Sequence, residues 1–152
     1  MVTDPIPFIN ILILAINLTW IQSSLVVFLL LISAIISGSE VAFFSLQIKS
    51  LEGPEDSEIT PEIKRVILLL KKPKRLLATI LIANNFINIA IVLLFTTLSK
   101  TFFESIENPI VLLIIEIGII TTLILIFGEI LPKVYANRNA LTFSARIAPM
   151  IN

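Results

Sequence analysis

Three long apolar runs, at residues 20–48, 76–98 and 110–131, decide the fold class before any other feature of the chain. Each is long enough to cross a hydrocarbon core of roughly 30 Å as a helix, which takes about 20 residues. Glu40, Glu116 and Glu129 are the only charged residues inside them. With 57% of its 152 residues hydrophobic, the chain carries more apolar surface than a soluble domain of this size could bury. The predicted fold is therefore an all-α membrane protein with three transmembrane helices, a short N-terminal hydrophobic segment and juxtamembrane amphipathic helices. The short segment, 8–18, is expected as an interfacial or re-entrant piece within an extracytoplasmic region 1–19, leaving 20–152 as the membrane domain. It has no basic residue before it, so it does not read as a signal peptide.

Orientation follows from Lys and Arg. Residues 1–48 contain none, whereas the 49–75 segment holds seven. The 99–109 loop has Lys100 beside Glu104 and Glu107, and Lys133, Arg138 and Arg146 follow the third run. All four regions agree on an N-terminus outside and a C-terminus in the cytoplasm of a multi-pass membrane protein. In the basic segment, residues 52–60 read as an acidic loop. Thr60 is the expected N-cap of a helix over 62–72, with Pro61 at its first position. Its apolar residues, Ile63, Val66, Ile67 and Leu70, predict a helix lying on the membrane surface. A further helix is expected over 134–147.

The residue inventory limits the chemistry. Without His the chain lacks the commonest transition-metal ligand and acid–base catalyst, and without Cys it has no thiolate site. No nucleophile–base pair or cofactor motif is visible, so an enzyme is not expected. Oxygen remains as the coordinating atom, and oxygen selects Mg²⁺, Ca²⁺ or Na⁺.

Oxygen donors occur where lipid-facing residues should be apolar. Ser33 and Ser37 share a helix face at i, i+4, and Asn84 and Asn88 repeat that spacing, with Asn85 one step round. Glu129 follows Gly128 and precedes Pro132, which lacks an N–H and clashes with the carbonyl of residue 128. The helix is expected to bend or unwind there and free that carbonyl. Gly38, next to Ser37, offers room for a neighbouring backbone. Each feature has a bland explanation. Serines in membrane helices commonly bond to their own backbone, Asn pairs glue helices together, and Glu40 and Glu116 can pair within a bundle. Jointly, on three helices, they point to a cation site formed by neutral oxygens around one carboxylate. The Ser and Asn positions lie deeper than Glu129 if the third helix stops at 131. Either that helix continues past Pro132, or breaks bring the groups level.

Ser33-x3-Ser37-Gly-Ser-Glu40, Asn84-Asn-Phe-Ile-Asn88 and Gly128-Glu129-Ile-x-Pro132-Lys133 resemble, in order, the three signature stretches of the cyclin M/CorC transmembrane domain. That domain belongs to magnesium transporters once described as hemolysin-like, and its gliding-motility-associated members are those this chain most resembles in flavour. The likeness covers about residues 20–148. It implies a homodimer of three-helix protomers in the bacterial inner membrane, with Mg²⁺ as the transported ion and Na⁺ as a coupling ion. By position, Ser33, Ser37, Asn84, Asn88, Gly128 and Glu129 would hold the metal, and Asn85 would be an extra member. The family domain is normally followed by a cytosolic CBS module, which this sequence lacks. No nucleic-acid partner is implied. The rival expectations are a transporter for another cation, and a non-transporting scaffold or accessory subunit of a surface machinery such as gliding or secretion.

Overall fold

The computed structural model describes residues 6–46 and 60–151. The described residues form helices α1 (Ile6–Ser45), α2 (Pro61–Leu70), α3 (Pro73–Phe102) and α4 (Pro109–Leu123). A π-helical segment, Ile124–Ile130, then leads into α5 (Leu131–Arg138) and α6 (Ala140–Ile151). No strand occurs among the described residues. Among the described residues, three stretches are long and apolar enough to cross a membrane: Asn17–Ser45, Pro73–Phe102 and Pro109–Arg138.

α1 is the hub. It packs against α3, the π segment, α5 and α6, while α2 packs on α6 and α3. Two apolar clusters hold the bundle. Phe43, Val66, Leu70, Leu76, Ile80 and Ala148 form one at the end where α2 and α6 meet the spans. Val26, Ile91, Leu98, Ile120 and Ile124 form the other, further along all three spans. Apolar packing thus brackets a middle layer that contains Ser33 and Ser37 of α1, Asn84 and Asn88 of α3, and Gly128 and Glu129 of the π segment.

Local chemistry explains the helix starts. Thr60 has the extended backbone of an N-cap (φ −62°, ψ 152°) and Pro61 follows, as the sequence predicts, although the Thr60 side chain makes no capping bond. Asn108 caps α4 by accepting from the N–H groups of Ile110 at 3.0 Å and Val111 at 3.4 Å.

Three expectations change, and one open alternative is decided. The 8–18 stretch is not a separate interfacial piece, because α1 runs unbroken through it for 40 residues. At 1.5 Å per residue that is about 60 Å, twice the thickness of the hydrocarbon. The apolar face of α2 is turned to protein rather than to the membrane surface, with Val66, Ile67 and Leu70 buried. The 134–147 stretch is two helices that meet at Asn139, whose backbone (φ −127°, ψ 36°) leaves the helical region. Finally, the third span does not end at 131 but continues to Arg138. Of the expected 52–60 loop, only Thr60 lies within the described residues.

Candidate cation site

Pro132 is accommodated upstream of itself. Over Ile124–Ile130 the helix widens to a five-residue hydrogen-bond repeat, and the Leu131 N–H bonds to the Ile126 carbonyl. Pro132 then follows in a helix that runs on through Ile130 (φ −66°, ψ −57°) without a break. The expected unwinding is therefore a π segment, a form often found at functional sites. In that register the N–H that Pro132 lacks would face the carbonyl of Phe127 rather than that of Gly128. Continuation to Arg138 also places Glu129 well inside the span, level with the Ser and Asn positions.

A chain of side chains crosses the three spans. The Ser33 hydroxyl donates to Asn88 Oδ1 at 2.8 Å, and Asn88 Nδ2 donates to Glu129 Oε1 at 3.2 Å. Gly128 closes the contact with α1, because a Cβ built on it would sit 3.0 Å from Ser33 Oγ. The other serines of α1 behave differently. Ser23, Ser24, Ser39 and Ser45 all donate to carbonyls three or four residues back in their own helix. Ser33 alone reaches another helix.

Ser37 is also fully buried, and its Oγ has no hydrogen-bond partner. The same holds for the buried Oδ1 of Asn84. Asn85 is exposed and makes no bond to the cluster. Of the six residues expected at the site, four touch one another; Ser37 and Asn84 lie one helical turn from Ser33 and Asn88 with free oxygens. Among the described residues no three acidic, His or Cys side chains group together. A cation in this layer would therefore meet one carboxylate and several neutral oxygens.

The ends of the signature stretches are also joined. Lys133 Nζ lies 3.1 Å from Glu40 Oε2, a half-buried ion pair that ties α5 to α1. Beside it, a Cβ on Gly38 would stand 2.7 Å from the Phe143 ring and 3.4 Å from the Pro132 carbonyl. Glycine lets the Phe143 ring of α6 press directly on α1 here, with α5 in ordinary contact beside it. Residues 24–152 match the model of the cyclin M transmembrane N-terminal domain. The chain belongs to the cyclin M family.

One relative of this cyclin M domain is the UPF0053 inner membrane protein YfjD of Escherichia coli (strain K12), 32% identical over 123 residues. The match takes in 78% of this chain and 27% of the relative, so the chain spans about a quarter of that protein's length.

Two polar groups escape a reading of the sequence. Ser144 on α6 is fully buried with an unpartnered Oγ. Its signal is the i, i+4 pair of small residues Ser144 and Ala148 on α6, both fully buried, which marks a face for close helix approach. Ser99 is the second. Its buried hydroxyl contacts the Thr96 carbonyl at 3.0 Å and donates to the buried Glu116 carboxylate, joining α3 to α4.

Proposed function

We propose that this domain carries Mg²⁺ across the inner membrane, with efflux coupled to Na⁺ entry, through a site formed by Ser33, Ser37, Asn84, Asn88, Gly128 and Glu129. The observation that carries the reading is the convergence of Ser33, Asn88 and Glu129 beside two buried oxygens, on Ser37 and Asn84, that have no partner. A buried unsatisfied oxygen costs about 1–3 kcal/mol, a cost that a bound cation offsets. Glu129 supplies the charge, and its second carboxylate oxygen is not used by Asn88. Mg²⁺ prefers six oxygens at roughly 2.0–2.1 Å and gives up its water reluctantly. One carboxylate with neutral oxygens would hold it loosely enough for release. Rearrangement of the third span about the π segment and Pro132 would pass the ion from the cytosolic to the outer side.

The basic residues flanking the spans support an N-terminus outside and a C-terminus in the cytoplasm. The Escherichia coli relative is an inner membrane protein by name, which supports an inner-membrane location. Within this reading the working unit is a homodimer, and a cytosolic CBS module belongs to the longer protein.

One observation favours a second reading. Ser33, Asn88 and Glu129 satisfy one another, as polar side chains do when they join helices. In that case the domain is a scaffold or an accessory subunit of a surface machinery. Reconstituted liposomes loaded with a Mg²⁺-sensitive dye separate the two. A transporter gives Mg²⁺ flux that depends on an opposing Na⁺ gradient and falls at least tenfold in Glu129→Gln. A scaffold gives no flux in either form.

A further inference from the structure

Two adjoining depressions at the basic end of the bundle share a wall. One is an apolar groove of about 300 Å³ between Ile32 and Ile36 of α1, Thr79 and Ala83 of α3, and Ile147 and Ile151 of α6. The other, also about 300 Å³, lies where α2 turns into α3 and is lined by Leu68, Lys72, Arg75 and Ile151. Ile151 borders both. Arg75, Thr79 and Ala83 follow one another at i, i+4 spacing, so a single stripe of α3 runs from the basic depression into the apolar groove. From Arg75 to Ala83 this stripe covers about 12 Å along the helix axis.

We propose that this composite groove binds an anionic phospholipid, with its phosphate on Lys72 and Arg75 and an acyl chain along Thr79 and Ala83 toward the middle of the membrane. The proposal does not rest on the identity of the transported ion. Charge complementarity selects the occupant. Both cations are exposed at the start of a span, Arg offers a planar fork for phosphate oxygens, and Lys71 and Lys74 add positive charge to the same turn. Basic depressions at the ends of transmembrane helices bind anionic headgroups by this combination of point charges and adjoining apolar surface. An ordinary lipid-facing surface lacks the cations, and a free-anion site has no use for a groove of isoleucines. The bound lipid would wedge α6 against α1 and α3.

Native mass spectrometry of the chain released from micelles tests this, with phosphatidylglycerol, phosphatidylcholine and inorganic phosphate as probes. The expected result is retained phosphatidylglycerol adducts that phosphate does not displace. Each cation near a membrane surface is worth about fivefold in affinity, so Lys72→Gln with Arg75→Gln should weaken binding about 25-fold. The charge-matched control, Lys64→Gln with Arg65→Gln on exposed positions of α2, should leave it within about twofold. Ala83→Phe, which fills the groove and keeps both cations, should also reduce retention. Equal losses in the two double variants, or no preference for phosphatidylglycerol over phosphatidylcholine, would overturn the proposal. Displacement by inorganic phosphate would reassign the basic depression to a free anion. A lipid-free dimer that Ala83→Phe breaks would assign the groove to a second copy of the chain.

Discussion

Gly128 and Ser33 face each other so closely that a methyl group on the glycine would lie 3.0 Å from the serine hydroxyl. That distance links backbone to chemistry, because Ser33 is the residue of α1 that reaches Asn88. Gly128→Ala should push Ser33 away and lengthen its bond to Asn88. Overpacking of this kind costs about 1–3 kcal/mol. Thermal unfolding in micelles should show the loss, and any stabilisation by Mg²⁺ should shrink with it.

Ser33 and Ser37 should respond to alanine in opposite ways. Ser33→Ala removes the bond to the part-buried Asn88 amide oxygen, so it should destabilise the protein by about 0.5–1.5 kcal/mol. Ser37 already lacks a partner. Ser37→Ala removes an unsatisfied oxygen and should leave stability unchanged or raise it by up to about 1 kcal/mol without Mg²⁺, while weakening Mg²⁺ binding. A stabilised variant that binds less ion marks a residue kept for function. Paired unfolding curves with and without Mg²⁺ check both variants.

The Ser99–Glu116 contact predicts a purely structural effect. Ser99→Ala strands a buried carboxyl group, and a hydrogen bond to such a group is worth about 1.5–3 kcal/mol. Glu116→Gln keeps an acceptor for Ser99 and should cost less. Neither change should alter Mg²⁺ binding, since the pair packs beside the second apolar cluster, away from Glu129. Titration of both variants with Mg²⁺ checks the separation.

Glu40 and Lys133 are each about one-third exposed, at 34% and 35%. Solvent screening at that exposure holds the pair to within about 1 kcal/mol. Glu40→Gln should therefore lower stability only slightly, and the difference should fade in high salt. Unfolding at two ionic strengths reads this directly.

Hydropathy and spacing made the three spans legible, and with them Ser33, Asn88 and Glu129, because a polar residue in lipid must find a partner. The partners themselves were not legible. Whether Ser33 bonds to its own backbone, as Ser39 does, or to Asn88 depends on how close α3 and the third span come. Gly128 sets how closely the third span approaches Ser33, and only in three dimensions. Pro132 announced a disturbance but not its form: widening upstream lets the helix continue, so the span outlasted its apolar run. The fate of 8–18 was hidden for a similar reason. Polar Asn17 and Thr19 look like a boundary in sequence, yet a helix satisfies its own backbone and passes through them. Small residues such as Ser144 gave too weak a signal to show which helix they would meet.

Titration calorimetry of the purified chain with Mg²⁺, compared with Glu129→Gln, tests the central claim most directly. Gln keeps an oxygen that can accept from Asn88 Nδ2, so the helices stay joined while the charge is gone. The expected result is saturable Mg²⁺ binding to the native chain and none to a folded Glu129→Gln. Equal binding by both, or a native chain that takes up no Mg²⁺, would contradict the assignment of this layer as the ion site.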